Sequence, residues 1–467
     1  MVERDYSLEC FDTLRCFAED LGYLEVLEVM RGNRAVSDIM PSSLDSFSRK
    51  VFKGIIEKYQ CLNRGEVLNH FAFKLSDLDM EFVRSVPPGG NWKNIPLSIA
   101  KKSKRLYDIT QKGGRTTFYG RLHYDRPSYT ISTYFNRPGN GSSVHPSLDR
   151  VITVREAARL QAFPDDFYFW GNRTQLLKQV GNAVPSILAY QIAKSIKSKV
   201  DCQTSIDLFC GAGGMTLGFR GAGIQSKLCT DIEESMCVSL KVNCPDLEVL
   251  KGDITDTDTK EYIIKVGREH NVDLICGGPP CQGFSMAGLR LDDDPRNQLF
   301  KDFVDIVGKV RPKVVVFENV KGILSFQEGD TYRLILDMFR GMGYEAEGRI
   351  LMASEYSVPQ KRERVIIICV RSDLHVSVSE LFPRTTSVEE SHYITVRDVI
   401  SDLEPVSCEN SIYTEPENRS EYLKLMRGET TFGEYLEKVS SVSEKDIFGR
   451  VVKPKRKGNA SLMEMFG

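Results

Sequence analysis

The sequence predicts a doubly wound α/β domain with a mainly parallel sheet, and three observations predict it. From 204 to 382, short β-branched or apolar runs (TSIDLF, SKLCT, LEVL, VDLICG, PKVVVFEN, YEAEGRIL, RVIIICV) alternate with helix-like stretches. SIDLFCGAGGMTLGF (205–219) reads as strand, glycine-rich turn and helix. Several strands end in a carboxylate, Asp231, Asp253 and Glu318 among them. The carboxyl edge of such a sheet is where open α/β folds bind ligands.

The elements follow in order. Residues 1–65 have helical texture, with apolar positions in LECFDTLRCFAEDLGYLEVLEVM at three- and four-residue spacing. From 66 to 150 the chain turns to Pro-, Gly-, Tyr- and Thr-rich pieces such as VPPGGNW and FYGRLHYDRPSYTISTYF, a pattern of turns and short strands. TVREAARLQAF (153–163) predicts a helix with Thr153 as N-cap and Glu156 completing a capping box. A second helix runs to QVGNAVP, and SILAYQIAKSIKSKV (186–200) makes a third. The stretch 204–382 is therefore expected to be the main α/β domain. Residues 383–467 are polar and irregular, with one strand- or helix-like piece, YITVRDVISDL.

Composition sets limits. The 467 residues are 41% hydrophobic and 27% charged, ordinary for a water-soluble chain of two or three domains. No apolar run reaches the ~20 residues that cross a bilayer, and the N-terminus is unlike a secretory signal. Twelve cysteines are scattered without a CxxC pair, so no metal site and no disulfide framework is expected, and a reducing cytoplasm is. Net charge is −2, yet KKSKR (101–105), QKGGR (111–115) and KPKRK (453–457) are locally basic: solvated surface or a polyanion contact.

At the glycine-rich turn, Gly211 and Gly213 permit close backbone approach to a ligand, although the dinucleotide pattern GxGxxG fails at Thr216. Asp231 ends the second strand, where a carboxylate can accept both ribose hydroxyls. Asp253 reads either as a ligand group or as a helix cap. Acidic strand ends with no phosphate-gripping lysine suit S-adenosylmethionine better than NAD or ATP.

GGPPCQGFS (277–285) places Cys281 behind two prolines that fix φ and remove two donors. It is either a buried structural thiol or a nucleophile in a stiff cradle. The next strand delivers Glu318, whose carboxyl would be held protonated if its surroundings were only apolar strands. In SVPQKRERVIIICV, Gln360, Arg362 and Arg364 alternate on one face, either as a salt-bridged surface strand or as a grip for carbonyl or phosphate oxygens.

DLFCGAGG, GGPPCQGFS, ENV, QKRER, REAARLQAFPDDF and QVGNAVP together resemble the cytosine-C5 DNA methyltransferases over about two-thirds of the chain, roughly 66–185 and 204–403. The order departs from the family's: REAARLQ and GNAVP, normally last, come first, and YITVRDVISDLEP sits near the C-terminus. The resemblance therefore implies a circular permutant cut inside the target-recognition domain, which exposed, variable segments tolerate. It implies a Rossmann-like S-adenosylmethionine-dependent methyltransferase domain over 148–382 and a smaller irregular recognition domain. The latter is shared between 66–147 and 383–467, with 1–65 part of it or appended to it.

The resemblance also assigns roles. Cys281 would attack C6 of a flipped-out cytosine, Glu318 would engage N3 and the exocyclic amine, Arg364 would hold O2, and Arg362 would support the site. Phe209, Gly211, Gly213, Asp231, Ile232, Asp253, Ile254, Pro279, Leu299, Asn182 and Val184 would hold the cofactor, S-adenosyl-L-methionine. An aromatic residue often follows the ribose acid in the family; Ile232 stands there instead. The implied activity is site-specific methylation of duplex DNA by a chain monomeric on DNA, in a prokaryotic cytoplasm, linked to a restriction endonuclease. Two alternatives stay open: a transfer-RNA cytosine-C5 methyltransferase, and an inactive DNA-binding relative.

Overall fold

The computed structural model describes residues 6–19, 21–280, 295–325, 329–387, 389–403, 413–414, 416 and 419–440. Three helices open the chain: α1 (Ser7–Arg15), α2 (Tyr23–Met30) and α3 (Ser46–Asn63), the last capped by Asp45, which accepts from the Ser48 amide. Next come α4 (Asp77–Arg84), α5 (Lys104–Lys112) and very short strands, gathered on a small apolar cluster that includes Phe82, Trp92, Leu106 and Tyr119.

Helix α6 spans Val154–Leu160, and the Thr153–Glu156 capping box is formed: the Glu156 amide donates to Thr153 Oγ1 at 3.1 Å and the Thr153 amide to Glu156 Oε2 at 2.7 Å. The helix stops earlier than its apolar spacing predicts, because Ala162 turns to φ +61°. Helices α7 (Arg173–Asn182) and α8 (Ser186–Lys197) follow. Six residues, 198–203, then lead directly into the sheet.

The sheet strands are β1 (Thr204–Leu208), β2 (Gln225–Asp231), β3 (Val249–Lys251), β4 (Leu274–Gly277), β5 (Val314–Val320), β6 (Tyr344–Met352) and β7 (Glu363–Arg371), in spatial order β3-β2-β1-β4-β5-β7-β6. The first five are mutually parallel; β7 enters antiparallel between β5 and β6. This is the Rossmann-like methyltransferase arrangement, with helices α9 (Gly214–Gly221), α10 (Glu234–Asn243), α11 (Thr257–Glu269), α12 (Pro295–Val310) and α13 (Asp330–Gly341) between the strands. The near-continuous apolar runs are explained by burial on both faces. Val314, Val316, Ile366 and Ile368 look toward α6–α9, whereas Val315, Phe317, Val365 and Ile367 look toward α11–α13.

The sequence left YITVRDVISDL open between strand and helix; it forms the short helix α14 (Val396–Ile400). With α15 (Glu421–Met426) and α16 (Phe432–Val439) it joins the core that α6 and α8 share with the sheet. Asp402 links the two regions, meeting Arg159 of α6 at 2.5 Å and Arg427 at 2.6 Å. The opening helices cover α10: Val51, Phe52, Ile55 and Ile56 pack with Val238 and Val242. A Cβ at Gly54 would lie 2.8 Å from Val242 and 3.3 Å from Trp170. No helix among the described residues is long and apolar enough to cross a membrane.

Candidate active site

The carboxyl ends of β1, β2, β4 and β5 open into one cleft of about 830 Å³. The chain leaves β1 through Phe209 at φ +59°, a conformation bulky residues rarely adopt. Gly211 (φ +55°) and Gly213 (φ +90°) follow, Gly213 as N-cap of α9. The Gly211 amide donates to Asp231 Oδ2 at 2.9 Å and the Glu233 amide to Oδ1 at 2.9 Å. Both oxygens of Asp231 are thereby aimed by main chain, while burial raises its pKa. Asp207 lines the same cleft; burial pushes its pKa up to about 7, and Thr216 Oγ1 donates to it at 2.5 Å.

The opposite wall comes from the segment after α7. Asn182, Ala183 and Val184 line the cleft, and the Val184 carbonyl presses on Gly214 so closely that a Cβ there would run into it. A buried polar hub holds this wall. Gln161 Nε2 donates to Val180 O at 2.7 Å, and Gln360 Nε2 donates to Gln161 Oε1 and to Leu160 O, each at 3.0 Å. Gln360 Oε1 accepts from the Ile131 amide at 2.9 Å, and Arg362 donates to Ile131 O at 3.2 Å and Gly181 O at 3.0 Å. Gln161 and Arg362 thereby serve two carbonyls, Val180 O and Gly181 O, at the end of α7, where helix carbonyls lack intrahelical partners.

The third part is Glu318, Arg364 and the proline loop. Arg364 Nε lies 2.8 Å from Glu318 Oε1, with both side chains 12% exposed. Glu318 therefore has a guanidinium partner, not the purely apolar surroundings its strand suggests. Gly278 closes on this pair: a Cβ there would sit 2.7 Å from Glu318 Oε2. Asn319 Nδ2 donates to Pro279 O at 2.9 Å, tying the proline loop to β5. Pro279 and Pro280 line the cleft; Cys281 lies outside the described residues.

Phe209, Gly211, Asp231, Ile232, Pro279, Asn182, Val184, Glu318 and Arg364 thus meet in one cleft. Arg362 is fully buried behind it in the hub, and burial drives its pKa well down. Gly213, Asp253, Ile254 and Leu299 are not among the described residues that line the cleft. Asp253 Oδ1 accepts from the Thr255 amide at 2.9 Å, in the turn whose Gly252 amide donates to Asp231 O at 3.1 Å. The N-cap of α11 is Asp256. Ile254 and Leu299 belong to the apolar cluster that α11–α13 form with the sheet. Sequence reasoning missed Asp207, Met215, Met236, Asn319 and Gln179. Gln179 stood in a quoted block, QVGNAVP, but nothing in its spacing distinguishes a cleft-facing glutamine from a solvent-facing one.

The sequence model of the C-5 cytosine-specific DNA methylase family matches residues 34–198 and 203–457. The chain belongs to that family. Within it, the sequence is 38% identical over 213 residues to the Type II methyltransferase M1.HphI of Haemophilus parahaemolyticus, covering 45% of this chain and 55% of that protein. It is 41% identical over 201 residues to M.DdeI of Desulfomicrobium norvegicum (42% and 48%) and 35% identical over 226 residues to M.AquIA of Picosynechococcus (43% and 89%). The chain spans about half the length of several curated relatives it matches. A crystal structure of a Spodoptera frugiperda DNMT2 variant is similar at 28% identity and a TM-score of 0.31, covering 37% of this chain and 51% of that one.

Proposed function

We propose that the chain is a site-specific DNA cytosine-C5 methyltransferase with S-adenosyl-L-methionine as methyl donor. The observation that carries this reading is the convergence of the Glu318–Arg364 pair, the proline loop leading into Cys281 and the Asn182–Val184 wall on one cleft. The residues present fit the donor. A carboxylate, Asp231, sits beside the glycine turn with its oxygens held by the Gly211 and Glu233 amides, and Gln179, which lines the cleft, has a buried Oε1 with no hydrogen-bond partner among the described residues. When bound, the donor supplies an electrophilic methyl group on a sulfonium.

The chain's own residues do the rest. Cytosine C6 accepts a nucleophile only when the ring is polarised. Arg364, held by Glu318, would engage O2, and Glu318 would hold N3 and the exocyclic amine. Cys281, the residue after Pro280, would add to C6 as thiolate, making C5 nucleophilic; loss of the C5 proton and of the sulfur would restore the ring. A stacked base exposes neither C6 nor C5 to such a cleft, so the target would be extruded.

We further read the block order as a circular permutation. Its support is the short link from α8 to β1, near where the two family-matched segments meet. The partial coverage of relatives fits too, because a collinear alignment spans only one side of a permuted cut. On this reading the recognition domain is drawn from 66–147 and 383–467, with α14–α16 of the latter packed on the core of the sheet domain, the chain works as a monomer on duplex DNA in a prokaryotic cytoplasm, and a restriction endonuclease shares its site.

Bisulfite sequencing of DNA from cells expressing the chain, with transfer-RNA sequencing in parallel, tests the activity. The expected result is protected cytosines at one short DNA motif. Protection confined to transfer RNA, or none, contradicts it.

A further inference from the structure

Gln179 stands in the last turn of α7, is 1% exposed and lines the cleft. Its Nε2 donates to the Trp170 carbonyl at 2.8 Å. That bond decides which end of the amide is which, because a carbonyl can only be met by the N–H end. Oε1 is the end left over: a buried acceptor without a hydrogen bond among the described residues. The anchor is itself fixed. The Trp170 amide donates to Ser239 Oγ at 2.8 Å, and its ring sits against Gly54 of α3. An acceptor held this way cannot turn elsewhere for a partner, and a buried acceptor left unpaired is destabilising until a ligand meets it.

Charge locates it further. Lys178, the preceding residue, reaches Glu233 at 3.8 Å, which puts this turn of α7 beside the Asp231–Glu233 corner of the cleft. We propose that Gln179 is a donor-binding residue whose Oε1 accepts a hydrogen bond from the ribose–aminoacyl half of the methyl donor, from a ribose hydroxyl or the α-ammonium. This rests on the donor reading above and adds a contact to it. The opening helices thereby gain an indirect part in donor binding: α3 backs Trp170, and Trp170 orients Gln179.

The test is calorimetric binding to the full-length chain, without turnover. S-adenosylhomocysteine carries both candidate groups, 5′-methylthioadenosine keeps the ribose but lacks the amino acid, and 2′-deoxy and 3′-deoxy forms of the latter each lack one hydroxyl. Gln179→Leu and Gln179→Met are compared with wild type, and thermal melts without ligand report their folding. The expected result is that S-adenosylhomocysteine binds the variants about tenfold more weakly. If 5′-methylthioadenosine is unaffected, the partner is the ammonium. If it is weakened equally and one deoxy form is not, the partner is that hydroxyl. A change under about twofold overturns the proposal, as does equal weakening of every ligand including both deoxy forms. Failure of wild type to bind S-adenosylhomocysteine overturns the donor reading and this contact with it.

Discussion

Arg364 and Glu318 are diagonal neighbours across the antiparallel β7–β5 pair, Arg364 opposite Val320 and Glu318 opposite Ile366, and their side chains close to 2.8 Å at the floor of the cleft. Each fixes the other before any base arrives. Removing either should therefore damage the site twice, by losing a contact to the base and by freeing its partner.

Glu318→Gln keeps the shape but loses the carboxyl proposed to share a proton with the ring. Single-turnover methylation should fall by about 10²–10⁴, with duplex affinity nearly unchanged. Arg364→Lys keeps the charge but not the planar fork, and the rate should again fall at least about tenfold. Equal rates in either variant would remove the pair from the chemistry.

Much of this site was legible beforehand. Strand runs with β-branched residues, a glycine turn and carboxylates at strand ends specify a sheet edge by local chemistry alone, and Asp231, Glu318 and Arg364 reach the cleft as expected. What was not legible depends on contacts across long separations. Arg362 shares a face with Arg364, yet it is the residue Ile131 and Gly181 surround, far off in sequence, so it is buried in the hub. Whether Glu318 meets only apolar strands was open in the sequence, because β7, which brings Arg364, is inserted next to β5 out of sequence order.

The hub has its own prediction. Gln161→Leu leaves Val180 O and Gln360 with fewer partners in a dry interior. Stability should drop by about 1–3 kcal/mol. Because Asn182–Val184 follow directly, affinity for S-adenosylhomocysteine should fall as well. Chemical denaturation and calorimetry on the same variant read both, and a stable variant with intact affinity would contradict the hub's role.

Asp402 is fully buried between Arg159 and Arg427. Asp402→Ala leaves buried guanidinium charge short of a partner. Such losses cost about 3–5 kcal/mol. Denaturant unfolding should show a much lower midpoint, whereas an unchanged midpoint would mean the late segment is not anchored there.

Two buried groups act oppositely on pH dependence. Burial pushes His145 down to about 4, against the pull of Glu156 and with Arg150, Arg121 and His70 opposing its charge. The unfolded chain then binds the proton first, so this contribution is present above about pH 6.5 and is lost as pH falls toward 4. Asp207, raised to about 7, runs the other way: the folded state holds its proton, and that stability is lost as pH rises from about 4 through 7. The two windows overlap, so wild type conceals both. Asp207→Asn should gain stability relative to wild type as pH rises through that range, and His145→Gln should gain as pH falls. Parallel pH profiles for all three proteins would refute both assignments.

The central claim is that the cysteine after the proline loop adds to a cytosine held by Glu318 and Arg364. A duplex carrying 5-fluorocytosine at the target position tests it most directly, since C5 then bears fluorine, which a base cannot remove as it removes a proton, and the adduct persists. Incubation with S-adenosyl-L-methionine should give a denaturation-resistant protein–DNA complex whose peptide map puts the base on Cys281. An adduct on another residue, or none from protein that methylates the unmodified duplex, would contradict the account.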